Sequence, residues 1–541
     1  MHVTSFTAAL VGLSLSAPAA AQKAYADFQA PLEQDNDVVS AEFPDIEGVE
    51  LLSPSFLNPE NIAEGFANGT STPLSQIDQD HFLQKLAARN DWLTYITPDF
   101  LSEEGRPMPY LYLTNEKQPS DNSTGKVRVF IQGHMHGNEP AGEEAVLALL
   151  GKMDDNSTWT EEILDKMDLM ILPRYNPDGV AYFQRQFATG YDPNRDFMVM
   201  QRDQTRHIKE LHAGFAAHIF VDCHEYTAST LYGTGEEKHL LKAEDGQIGG
   251  PKNLNVREEV RNLQNGLYLD TMTAMMNRRG LRTSPYYVVN AGDELILEEP
   301  DSHSRYSDHS FVLSQAIAIL TETRGIRLGD QHFQRRTATG LFLLEEILQI
   351  TADNAEDVYE TIEDARKKFA ESDEDIIVTD YARETNVTWE FMDVNNGSMI
   401  EVPALFLNHT PPIVNITRSR PEAYVFSRAW ADVAERLSLM GVEVRKLEKD
   451  FSGTVEALTV ETLELAASKF EGIAGTSVTT SSAEKNVTIP AGGFWVSTRQ
   501  VNAAYALVFL EPENVASVAT YNIVPVEEGD EFPIFRVPRS S

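Results

Sequence analysis

From residue 78 to residue 348, short apolar runs of strand character alternate with stretches of helical spacing. That alternation is the pattern of an α/β sheet whose strands are mostly parallel and flanked by helices. Residues 126–132 (KVRVFIQ) alternate and then turn wholly apolar, which predicts a strand, and 141–152 (AGEEAVLALLGK) have helical spacing. Residues 168–172 predict a short strand, and 218–223 (HIFVDC) and 315–321 (QAIAILT) predict buried ones. A charge-rich stretch of helical spacing, NAEDVYETIEDARKKF within 349–376, predicts a connector helix with one solvated face. Beyond it, 377–541 carry Val/Thr/Ile-rich runs separated by turns, the pattern of a mainly β accessory domain, with a helix near 422–440.

The two segments before the sheet read differently. Residues 3–21 are apolar and rich in small side chains, ending Ala19-Ala20-Ala21 before Gln22-Lys23, which suits a secretory signal cleaved after Ala21. The mature protein is then expected outside the cytoplasm: extracellular, or periplasmic in a bacterium. Residues 22–77 are acidic and punctuated by Pro and Gly, an N-terminal extension expected to pack on a neighbour. The organisation read from sequence is therefore 1–21 signal, 22–77 extension, 78–348 α/β domain, 349–376 connector helix and 377–541 β-rich domain.

Charge narrows the partners. The 541 residues hold 44 Lys+Arg against 83 Asp+Glu, a net of −39. Such a chain repels phosphate backbones and anionic lipid heads, which sets nucleic acid and membrane surfaces aside. No stretch after the N-terminal segment reaches the ~18 uninterrupted apolar residues a membrane span needs. Cys223 is the only cysteine, so no intrachain disulfide forms. Eight Asn-x-Ser/Thr sequons, at Asn68, Asn122, Asn156, Asn386, Asn396, Asn408, Asn415 and Asn486, lean towards N-glycosylation in a eukaryotic secretory path. A bacterial exporter would ignore them.

Four clusters carry candidate chemistry. His136-Gly137-Asn138-Glu139 falls where the 126–132 strand ends and the 141–152 helix begins. A His and a carboxylate three apart across such a turn can point at one cation; alone, the pair is also what a turn histidine beside a helix N-terminal glutamate gives. His224 follows a second buried strand. His224-Glu225 has Ala228 where a helical HExxH motif would need histidine, so that zinc-protease reading fails. Two histidines plus Glu139 match a His₂Glu catalytic zinc set with an open position. Glu322, in Thr-Glu-Thr-Arg-Gly after the 315–320 run, is expected to be desolvated and raised towards the range of a general base, or else paired with Arg324. Finally Asn-Pro-Asp-Gly at 176–179 is followed by Arg185 and by Asp192-Pro-Asn194-Arg195-Asp-Phe, planar donors suited to a carboxylate and a developing oxyanion.

In this order and spacing the clusters resemble the zinc metallocarboxypeptidase family, the group that includes pancreatic carboxypeptidases A and B, over residues 78–345. The resemblance implies the zinc carboxypeptidase fold, one Zn²⁺ per chain held by His136, Glu139 and His224, and Glu322 as general base. It gives Arg185 the oxyanion, Asn194 and Arg195 the substrate's terminal carboxylate, and Asp192 the orientation of His136. Tyr226 matches a tyrosine lining the cleft. Of Tyr306, Tyr286 and Tyr287, Tyr306 is preferred as the tyrosine that covers the substrate. Residues 291–309 depart from the pancreatic pattern, so the specificity pocket is not carried over. His134 shares a strand face with His136, but the family pattern gives it no role.

The function implied is a secreted zinc carboxypeptidase acting on peptide or protein C-termini. Two alternatives stay open at this stage: a zinc amidase or deacylase of N-acyl amino acids, and a catalytically silent binding glycoprotein working through its β-rich half. Intact Glu322 argues against silence. Serine hydrolase and nucleotide-binding readings fail for want of G-x-S-x-G and P-loop motifs. Side-chain preference and oligomeric state are not legible.

Overall fold

The computed structural model describes residues 28–116, 125–233, 237–291 and 294–539. The expected signal peptide and the Asn122 sequon lie outside them. Nineteen strands among the described residues form three sheets.

The largest sheet has eight strands: β1 (Leu93–Ile96), β2 (Tyr110–Leu113), β3 (Val127–Gly133), β4 (Met167–Leu172), β5 (Ile219–Thr227), β7 (Gly246–Gly249), β8 (Thr283–Pro285) and β11 (Ile317–Ile326), in the order β1-β2-β4-β3-β5-β11-β7-β8. Its centre, β4-β3-β5-β11, is parallel, and the outer pairs β1-β2, β2-β4 and β11-β7 are antiparallel. The mixed, helix-flanked α/β fold expected from the sequence is present. Every residue of β3, β4 and β11 is buried, as central parallel strands covered on both faces require.

Two helices, α1 (Pro140–Asp155) and α2 (Phe333–Asp353), cover one face. Gly142 of α1 and Gly340 of α2 let them approach: a Cβ at Gly142 would stand 2.9 Å from the Cys223 carbonyl oxygen, and one at Gly340 would stand 2.8 Å from Ala145 Cβ. Odd-numbered side chains of β5 thus face the helices. By the two-residue period of a strand, Asp222 and His224 face the other way.

The second sheet joins β6 (Leu240–Leu241), β9 (Val288–Ala291) and β10 (Leu295–Glu298) to a long hairpin, β12 (Ile376–Asp393) and β13 (Met399–Arg418). The third contains β14 (Ala423–Phe426), β15 (Arg445–Lys446), β16 (Phe451–Leu465), β17 (Thr476–Ile489), β18 (Phe494–Ser497) and β19 (Ile534–Val537).

Three expectations need correction. The connector is part of two helices, α2 and α3 (Ala355–Glu371), broken at Asn354, whose Nδ2 donates to the Ile350 carbonyl at 2.8 Å. Residues 377–541 are not one unit apart from the rest: β13 pairs in parallel with β10, and Phe391, Ala404 and Phe406 share an apolar cluster with Tyr287, Leu295 and Leu297. Only the third sheet stands beyond the α/β region. Even there Met198, Met200 and Leu313 enter the same core as Tyr424, Leu507 and Phe509. The 422–440 helix is shorter, Ala431–Leu439, because its first residues form β14.

The N-terminal extension packs on the α/β region, where Arg324 pairs with Asp35 at 2.5 Å and Ser53 donates to buried Glu144 at 2.6 Å.

Candidate active site

The site grows from the carboxyl ends of β3, β5 and β11, where open α/β sheets place their ligands. After β3 the chain turns through His136-Gly137-Asn138-Glu139 into α1. Gly137 and Gly179 make this possible, because a Cβ at Gly137 would overlap the Gly179 backbone at 2.0 Å. The Asn-Pro-Asp-Gly turn, with Asn176 Oδ1 accepting from Gly179 N at 2.9 Å, therefore packs backbone to backbone against the His136 loop.

His136, Glu139 and His224 are all buried, and one donor atom from each lies within 4.8 Å of the others. His136 Nδ1 is 2.8 Å from Glu139 Oε1, His224 Nδ1 is 2.9 Å from Glu139 Oε2, and the two Nδ1 atoms are 3.1 Å apart. The far side of each ring also faces a carboxylate. His136 Nε2 is 3.1 Å from Asp192 Oδ1, and His224 Nε2 is 3.1 Å from Asp222 Oδ2. With a metal ion between them, each Nε2 would keep the proton facing its outer carboxylate and each Nδ1 would turn a lone pair inward. Two imidazole nitrogens and a carboxylate thus converge on one point. Such a donor set fits a zinc ion, and the outer carboxylates are the partners zinc-binding histidines need. Burial would raise Glu139, but His136 and His224 hold its carboxyl well below the usual range. Asp192, also buried, is held down by Arg185 and His136.

His224 is the sixth of nine residues in β5, and Glu322 the sixth of ten in β11. Both stand inside strands rather than just past them, as the sequence suggested. They are in register with each other, so both side chains leave the sheet on the same face. Glu322 is 7% exposed, and its Oε2 has no hydrogen-bond partner among the described residues. Burial, with Glu139 adding to it, pushes its carboxyl up to about 8. It is not paired with Arg324, which is turned to Asp35.

Arg185 Nε donates to Asp192 Oδ2 at 2.9 Å and Nη1 to Glu139 Oε1 at 3.3 Å. Asn194 Oδ1 accepts from Ser307 N at 2.7 Å, which fixes the amide so that its NH₂ remains to donate. The Arg195 guanidinium lies 4.7 Å over the Tyr306 ring. His136, Arg185, Asn194, Arg195, His224, Tyr306 and Glu322 all line one cavity of about 420 Å³.

Tyr226 and Tyr286 also line this cavity, while Tyr287 is turned to Glu244 at 3.0 Å in the second sheet's core. His134 is not part of the cluster: it binds Glu143, which Arg174 also holds at 2.7 Å. Glu225 faces α1 and α2, accepting from Ala141 N at 3.0 Å and Arg336 at 2.8 Å.

Several site residues were not singled out from the sequence. Asp222 sits two before His224 on the same strand face, a period-two signal that was there to be read; it also accepts from Gln132 at 3.0 Å and from Ser307 Oγ. Lys242 lines the cavity, pushed down to about 8 by burial, and donates to the Tyr287 carbonyl at 2.5 Å. No local pattern marks it. Glu471, from the turn between β16 and β17, accepts from Asp192 N at 3.0 Å.

A family model described as zinc carboxypeptidase matches residues 80–218. The chain is 41% identical over 531 residues to carboxypeptidase 2 of Trichophyton tonsurans, covering 98% of each chain. It is 40% identical over 531 residues to carboxypeptidase 2 of Trichophyton rubrum, again covering 98% of each. The crystal structure of a metallo-carboxypeptidase from Burkholderia cenocepacia superposes with a TM-score of 0.40 at 17% identity, over 52% of this chain and 70% of that one. With identity of this level running the full length of those relatives, the chain belongs to the zinc carboxypeptidase family, hydrolases that act on peptide bonds.

Proposed function

We propose that this protein is a secreted carboxypeptidase with one zinc per chain, removing single residues from the C-termini of peptides and proteins. The observation that carries the reading is the in-register pair Glu322 and His224. It sets a buried carboxylate with an unpartnered Oε2 beside the His₂Glu cluster, in the cavity that also holds Arg185, Asn194 and Arg195.

Zinc held by His136, Glu139 and His224 would supply Lewis acidity, lowering the pKa of water to near neutrality. The chain's own residues do the rest. Glu322 accepts the attacking water's proton and returns it to the leaving amine, a task for which its raised carboxyl suits it. Arg185, always charged, faces the negative charge that develops on the scissile carbonyl oxygen. Asn194 and Arg195 hold the terminal carboxylate by charge-assisted hydrogen bonds, which restricts cleavage to the last peptide bond. Tyr306 covers the bound residue from its place over Arg195. Asp192 and Asp222 face the outer nitrogens of the two histidines and orient the rings.

Secretion is supported by the N-terminal apolar segment and by the exposure of Asn68, Asn156, Asn386, Asn396, Asn415 and Asn486, six sequons open to glycosylation. No helix among the described residues is long and apolar enough to cross a membrane.

Metal analysis tests the proposal. The purified protein is expected to carry about one zinc per chain, and a chelator to abolish peptidase activity until zinc is restored. Full activity in a metal-free preparation contradicts it.

A further inference from the structure

The proposed reaction uses residues 136 to 322, yet a hairpin from far later in the chain reaches the rim of the same cavity. Strands β16 and β17 pair from Phe451↔Ile489 to Leu465↔Thr476. At the tip, Phe470 and Ile473 exchange both backbone hydrogen bonds, at 2.8 and 3.0 Å. Glu471 and Gly472 between them have φ of 48° and 79°. Two positive φ values in a two-residue loop match the twist of a hairpin and fix the direction of its side chains. The tip is braced from behind, Asn522 Nδ2 donating to the Ala474 carbonyl at 2.8 Å and Thr476 N to the Thr520 carbonyl at 3.0 Å.

Two contacts leave this tip for the cavity. Glu471 Oε2 accepts the Asp192 N–H at 3.0 Å, and the Asp192 carboxylate in turn holds His136 and Arg185. Phe470, 49% exposed, lies against Arg305, whose guanidinium is 4.7 Å from its ring centroid. Arg305 is also 4.9 Å from the Tyr306 ring and donates to the Tyr306 hydroxyl at 2.8 Å. Arg195 takes a further place on Tyr306, at 4.7 Å. Aromatic and guanidinium groups thus alternate Phe470–Arg305–Tyr306–Arg195 from the hairpin to the residue that grips the substrate. A large apolar side chain left half in solvent at the tip of a two-residue turn contributes little to any core. Its partners all lead inward.

We propose that Phe470 and Glu471 are positioning residues of the catalytic cleft, Phe470 steadying the carboxylate-holding Arg195 through Arg305 and Tyr306, and Glu471 fixing the backbone of Asp192. The third sheet is then a working part of the peptidase. This rests on the reading of Arg195 as the holder of the substrate carboxylate, and the experiment separates the two.

The full-length, zinc-loaded enzyme is assayed for kcat and KM on a blocked dipeptide with a free C-terminus and on its C-terminal amide, with zinc content and melting temperature recorded for each variant. Phe470→Ala is expected to raise KM for the free acid about fivefold, the effect of losing one exposed cation–π contact, and to leave the residual rate on the amide unchanged. Phe470→Tyr restores the wild-type KM, whereas Phe470→Leu, which keeps apolar bulk without a ring, behaves as Ala. Glu471→Ala lowers kcat on the acid several-fold, and Glu471→Gln, whose amide oxygen still accepts from Asp192 N, retains most of it. Wild-type constants in Phe470→Ala and Glu471→Ala overturn the inference, as does a Phe470→Ala loss shared equally by acid and amide. If Arg195→Ala narrows the acid-over-amide preference and Phe470→Ala does not raise KM, the hairpin's role alone falls. If Arg195→Ala leaves that preference intact, the reading of Arg195 falls and takes this inference with it.

Discussion

Glu322 stands directly across from His224, in register on the parallel strands β11 and β5. Neighbouring in-register side chains on one sheet face lie about 5 Å apart, so the fold itself sets a buried carboxylate beside a histidine of the His₂Glu cluster without any loop to place it. A site built on two central strands is held more rigidly than one built on loops. The opposite faces of the same strands are closed by α1 and α2, so neither strand can shift without disturbing the core.

Glu322→Gln is the direct test of the base. The amide keeps size and polarity but takes no proton, so kcat is expected to fall by at least ~10²-fold while zinc content stays at wild type. A variant that turns over at the wild-type rate would move the base elsewhere.

Asp222 and Asp192 buttress the two histidines from behind. Asp222→Asn and Asp192→Asn should each weaken zinc affinity by about 10–100-fold, measured by competition with a chelator of known strength. Unchanged affinity in both would mean that the carboxylates serve packing and not the metal.

Lys209 is buried where the α/β region meets the third sheet, donating to Ser310 Oγ at 2.9 Å and lying 4.5 Å from the Tyr505 ring. Burial pushes its ammonium down to about 7, and His212 beside it is lowered too. A lysine whose folded pKa lies below its unfolded value is most compatible with the fold when neutral. The stability it permits is therefore complete above pH ~10.5 and is lost as pH falls towards 7, by about 1.4 kcal/mol per pH unit inside that window. Lys209→Met should melt higher than wild type at pH 7, and the gap should narrow towards pH 10. A difference that does not change with pH would contradict the buried-amine account.

The residues of the cavity carry local signals in the sequence: His136 with Glu139 after a strand, Asp192 with Asn194 and Arg195 in one short turn, and Glu322 within an apolar strand. The strand assignments held because central parallel strands are continuous apolar runs, as in 218–223. What the sequence hid is non-local. Pairing of Ile296 with Leu405 joins strands more than a hundred residues apart, and neither segment's alternation names its partner. Residues 377–541 therefore read as a separate β domain although β12 and β13 complete a sheet begun at Leu240. Glu471 illustrates the same limit: an exposed-looking Glu-Gly turn has no local mark of a contact with Asp192, 279 residues earlier. Lys242 is similar, one lysine among many until the fold buries it beside Tyr287.

The most direct test of the central claim is mass-spectrometric product analysis with a pair of identical peptides, one ending in a free carboxylate and the other in an amide. In the proposed reading Arg195 and Asn194 present donors to a charge that the amide lacks, and a mismatch in a site built for a polar group costs up to ~10⁴–10⁵-fold in specificity. The zinc-loaded enzyme is predicted to shorten the free acid one residue at a time from its C-terminus and to leave the amide essentially intact. Internal fragments, or equal loss of acid and amide, would contradict the account.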